Sequence, residues 1–91
     1  MKEKEKIVVL GAGESGVGAA VLAKKKGFDV WVSDVGVIAQ KYRKVLVKNK
    51  IAFEERMHTE SKILDAKEVI KSPGIPEKAP IMKKVRRKRG T

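Results

Sequence analysis

The sequence contains no cysteine. A disulfide framework is therefore excluded, and nothing points to an oxidising compartment. There is a single histidine, His58, so with no second histidine or cysteine a metal site has too few ligands, and a surface turn is the expected place for it. Aromatic residues make up only 4% of the chain. None is interleaved with the basic residues near its end, so unpaired bases would find no stacking platform there. Long apolar runs are also missing. The run Ile7–Leu10 that follows the charged first residues is too short for a signal-peptide core or a membrane span. A cytoplasmic protein with no membrane partner is the expectation.

What is present suits one small domain. The chain has 91 residues, 42% of them hydrophobic, which argues for a packed core rather than disorder. The net charge is +11. The segment Lys83–Arg89 carries six positive charges, and taking these from +11 leaves +5 on the rest. Such a cluster can contact nucleic acid, but charge runs are more often solvated helix faces. The second reading is preferred, and a nucleic-acid partner is not expected.

Strand and helix signals alternate. Lys6–Leu10 is a β-branched apolar run that ends in glycine, as a buried parallel strand does. Residues 15–26 are rich in alanine and lysine and are followed by Gly27, a helix stop. Val30, Trp31 and Val32 mark a second strand over 29–33. Apolar residues at Ile38, Tyr42, Val45 and Leu46 have helical spacing over 38–48. A short third strand is expected at 51–53, a short helix capped by Thr59, and a fourth strand at 68–71. The prolines and glycine of 72–76 make a loop. A last helix is expected over 79–89, with Ile81, Met82 and Val85 on one face. This βαβαβαβα order predicts an α/β, Rossmann-like three-layer αβα domain. Its sheet should be parallel, with about four strands and a further strand expected after Thr91. The first and fourth strands are expected to exchange amide hydrogens slowest.

The sharpest motif is Gly11-Ala-Gly13-Glu-Ser-Gly16, placed between a predicted strand and a predicted helix. That context is needed, because three spaced glycines alone are a weak signal. Gly11 would permit the tight turn, Gly13 the close approach of a phosphate, and Gly16 close helix–strand packing. The helix N-terminus would offer free N–H groups to a diphosphate. The Glu14 side chain is expected to turn away and leave its N–H to the ligand. Asp34 follows Gly11 by 23 residues, where an acidic residue commonly meets a nucleoside. The plainer reading of Asp34, a turn cap, is ranked second. To this point the motifs do not separate NAD from a UDP-sugar.

The loop Ser72-Pro73-Gly74-Ile75-Pro76 adds a family resemblance. Together with Gly11–Gly16, Val32-Ser33-Asp34 and His58-Thr59, it makes residues 6–89 resemble the N-terminal domain of the Mur ligase family. Within that family the likeness is to the branch that adds D-glutamate to UDP-N-acetylmuramoyl-L-alanine. The resemblance implies a domain that holds the UDP part of that substrate. The backbone at Glu14, Ser15 and Gly16 would hold the diphosphate. Asp34, with Val35 and Gly36, would face the uracil, and Ser72, Pro73 and Gly74 would line the same crevice. It further implies ATP and Mg²⁺ in a longer parent enzyme, on central and C-terminal domains that these 91 residues do not include. No GxxxxGK[ST] phosphate loop occurs in the sequence, so no cofactor and no catalytic residue are assigned to this segment, and it is expected to be inactive alone. The alternatives are an NAD-type redox domain, the first domain of the sister ligase that adds L-alanine, and a basic nucleic-acid module. The redox reading gives no reason for the Ser-Pro-Gly-Ile loop. The sister ligase differs there, with a second serine in place of Pro73.

Overall fold

The computed structural model describes residues 4–72 and 79–88. Four strands and four helices alternate: β1 (Lys6–Leu10), α1 (Glu14–Lys25), β2 (Asp29–Asp34), α2 (Gln40–Lys48), β3 (Ala52–Glu55), α3 (Glu60–Leu64), β4 (Glu68–Lys71) and α4 (Pro80–Lys88). The strands form one parallel sheet in the order β3-β2-β1-β4. The chain is thus a small α/β domain of the Rossmann-like kind.

Alternation along β1 explains the layers. Successive side chains of a strand leave opposite faces of the sheet. Ile7 and Val9 accordingly join one buried cluster, with Val17 and Ala20 of α1, Val30 and Val32 of β2, and Leu46 of α2. Val8 and Leu10 join another, with Ile63 of α3 and Ile81, Met82 and Val85 of α4. Helices therefore cover both faces. None of the described helices is long and apolar enough to cross a membrane.

Some boundaries differ from expectation, each for a local reason. Helix α2 starts at Gln40, two residues later than its periodicity suggests, because Ala39 is extended at ψ 142°. Ile38 is nonetheless buried, and its amide donates to Glu55 Oε1 at 2.9 Å. Strand β3 runs on through Glu54 and Glu55, since both carboxylates find donors there. Thr59 stands at the N-cap of α3 without capping it through its side chain; its hydroxyl donates to Glu54 Oε1 at 2.6 Å.

Candidate functional site

The sheet order fixes where a ligand can sit. From β1 the chain moves outward through β2 to β3, then crosses to the other side of β1 for β4. At such a reversal a crevice opens outside the carboxyl ends of the two strands. A cleft of about 590 Å³ lies there. It brings together five of the expected residues: Gly11, Gly13, Asp34, Val35 and Ser72.

The glycine loop is built by steric demand. Gly11 has φ 95°, in the left-handed region that favours glycine, and its amide donates to Ser33 O at 2.8 Å. At Gly16 a Cβ would lie 1.8 Å from Gly11 O, so α1 can approach β1 only without a side chain there. Gly13 differs. It is the N-cap of α1, makes no side-chain cap hydrogen bond, and a Cβ on it would meet nothing within 4 Å. Gly13 also lines the cleft. Glu14, Ser15 and Gly16 form the first turn of α1, with Glu14 and Ser15 exposed. The opening amides of a helix have no partner within it.

Asp34 joins two loops. Its Oδ2 accepts the Ala12 amide at 2.7 Å, and its Oδ1 accepts the Gly36 amide at 2.8 Å. One carboxylate thus caps its own turn and also ties that turn to the glycine loop. Each oxygen retains a further lone pair for a ligand donor. Val35 and Gly36 are exposed, and the turn is held from behind by the Arg56 amide, which donates to Gly36 O at 2.8 Å. Ser72 is half-buried, and its amide donates to Leu10 O at 2.8 Å. Pro73 and Gly74 lie outside the described residues.

The cleft has walls to which the sequence assigned no binding role. His58 lines it, as do Glu60, Pro80, Ile81 and Lys84. The His58 ring is not a loose surface group: its Nδ1 lies 2.6 Å from Ser33 Oγ, and Ser33 is fully buried. Ser33 Oγ also lies 2.7 Å from Glu54 Oε2. The Glu54 carboxylate and the Met57 carbonyl, 3.2 Å from the same hydroxyl, can only accept, so the serine proton is directed to them, chiefly to the nearer carboxylate, and a His58 Nδ1–H is the donor that fits the serine oxygen. The ring nitrogen left over is Nε2. The grouping of serine, histidine and glutamate is no hydrolytic triad, because the serine hydroxyl is sealed from any substrate. Burial by itself would raise the Glu54 carboxyl. Hydrogen bonds from Ser33 Oγ, Thr59 Oγ1 and the Thr59 amide, with the charge of His58, outweigh it and hold the carboxyl below its ordinary value.

Comparison with known proteins gives a consistent picture. Residues 6–81 match the family described as MurD N-terminal domain. A UDP-N-acetylmuramoylalanine–D-glutamate ligase of Christiangramia forsetii is 57% identical over 84 residues, covering 92% of this chain and 19% of that protein. The protein of the same name from Porphyromonas gingivalis W83 is 62% identical over 80 residues, covering 88% of this chain and 18% of its own length. A more distant one, from Chlorobium phaeobacteroides, is 37% identical over 81 residues. The chain spans about a fifth of the length of the curated relatives it matches.

Proposed function

Because the chain belongs to the MurD N-terminal domain family, we propose that it binds the uridine diphosphate portion of UDP-N-acetylmuramoyl-L-alanine, as one part of a cytoplasmic ligase that adds D-glutamate in peptidoglycan synthesis. The observation that carries the reading is the convergence of Gly11, Gly13, Asp34, Val35 and Ser72 on one cleft at the sheet's reversal point. The diphosphate would lie against the first turn of α1, where the amides of Glu14, Ser15 and Gly16 and the positive end of the helix favour an anion. The base would lie by Asp34, Val35 and Gly36, with Ser72 on the lining of the same cleft. ATP and Mg²⁺ would act on other parts of a longer enzyme.

An amide-shift titration tests the proposal. UDP should shift Gly11–Gly16, Asp34–Gly36 and Ser72 weakly but together. NAD⁺ should leave them in place, and the isolated chain should show no ligase turnover. Shifts with NAD⁺ and none with UDP would transfer the site to redox chemistry.

A further inference from the structure

Among the described residues, the cleft proposed to hold a diphosphate has one lysine or arginine in its lining, Lys84. The same described lining contains two carboxylates, Asp34 and Glu60, and the imidazole of His58. The oxygens of Asp34 already accept the Ala12 and Gly36 amides. Lys84, on α4, is also engaged: its Nζ lies 2.5 and 2.8 Å from the two carboxylate oxygens of Glu60, the first residue of α3. The pair bridges the two helices that cover one face of the sheet, at the wall of the cleft.

Such a pair is easily exchanged. The two side chains are 46% and 48% exposed, and ion pairs in that setting are weak because water screens them. Lysine is a compact charge on a flexible four-carbon stem, able to turn about its attachment point. A diphosphate brings more negative charge than one carboxylate, and the released Glu60 would be solvated where it stands.

We propose that Lys84 is an exchangeable phosphate ligand. With the cleft empty it pairs with Glu60; when a nucleoside diphosphate enters, it leaves the carboxylate for a phosphate oxygen. Glu60 thereby lowers the affinity of the site by competing for the same cation. This inference rests on the nucleotide reading above and adds to it the side-chain cation that the glycine loop lacks.

A double-mutant cycle tests it. The 91-residue chain, Lys84→Met, Glu60→Gln and the double variant are each titrated with UDP, and with uridine as a phosphate-free probe. Equal melting temperatures establish that the exposed substitutions leave the fold intact. Lys84→Met should weaken UDP binding roughly fivefold and leave uridine unchanged. Glu60→Gln should tighten UDP binding, and the double variant should behave as Lys84→Met alone. If Glu60→Gln keeps its gain without Lys84, the glutamate acts by repulsion only and the exchange is wrong. If Lys84→Met binds UDP like the parent chain, Lys84 is no ligand, while the cleft assignment survives. If the parent chain itself fails to bind UDP, the cleft assignment falls and the exchange with it.

Discussion

Gly13 and Gly16 stand three residues apart in one loop and meet different demands. Gly16 serves packing: a methyl group there would sit 1.8 Å from Gly11 O, a backbone atom that cannot swing aside. Gly13 serves access, with open space where its side chain would be. Gly16→Ala should therefore cost more than about 3 kcal/mol of stability, because over-packing at a rigid contact has no cheap relief. Gly13→Ala should cost less than about 1 kcal/mol, the scale of an N-cap substitution, yet abolish UDP-induced shifts, since Gly13 lines the cleft where backbone is proposed to meet the phosphates. Urea melts and a UDP titration of both variants check this. A Gly13→Ala variant that binds UDP as well as the parent would place the phosphates elsewhere.

At the scale of elements, the carboxyl ends of β2 and β3 and the start of α3 are joined through Glu54. Its Oε2 accepts both Ser33 Oγ and the Thr59 amide, and its Oε1 accepts Thr59 Oγ1. Glutamine in its place can accept at one end only and would turn an N–H₂ toward a donor. The direction of the Glu54 shift sets the pH dependence. A carboxyl held below its ordinary 4.5 contributes stability that is present above that value and lost as pH falls through the lower, folded-state value. Glu54→Gln should therefore be less stable than the parent at pH 7, and the gap should close on acidification below about 4.5. Denaturant melts of both proteins at neutral pH and near pH 3 measure it; a gap independent of pH would remove the ionised carboxylate from the account. This network was hidden in the sequence. The period of β2 marks Val30 and Val32 as core but says nothing of a buried Ser33, Glu54 carries no motif, and His58-Thr59 marks the family resemblance without disclosing the contact to Ser33. The glycine loop and Asp34 were legible because their chemistry is local: a strand, a turn that only glycine permits, and a helix. Lys84 and Glu60 could not be paired in advance, because 24 residues and the packing of α4 on α3 separate them.

For the whole molecule, sheet order decides which parts are held most firmly, and alternation of elements does not disclose it. Taken as a series, the first and fourth strands could both be expected to resist exchange. The topology instead places β4 at one edge of the described sheet and β3 at the other, with β1 and β2 inside. Strand β1 is paired along its length with β2 and over Ile7–Leu10 with β4; β2 is paired with β1 and, over Trp31–Asp34, with β3. Burial follows the same order. Val9, Leu10, Val32 and Ser33 are fully buried, whereas every residue of β3 and β4 is at least partly exposed. An amide in an interior strand opens only when neighbours on two sides give way, so its exchange approaches the free energy of global unfolding, while an edge amide exchanges through local opening. Native-state hydrogen exchange should therefore find Val8–Leu10 and Val30–Val32 slowest, with the amides of β3 and β4 faster by roughly a factor of ten or more. The cleft lies across this boundary: the glycine loop and Asp34 follow interior strands, and Ser72 follows an edge strand. Binding of UDP should accordingly slow exchange at Ile7–Leu10 by the full binding factor, since these amides open only with the whole domain, and at Glu68–Lys71 by no more than that, since a local opening at the edge can leave part of the site in place. Equal protection of β1 and β4 in the free chain, with equal slowing of both on adding UDP, would show that the domain opens as one unit and has no separate local motion at its edge.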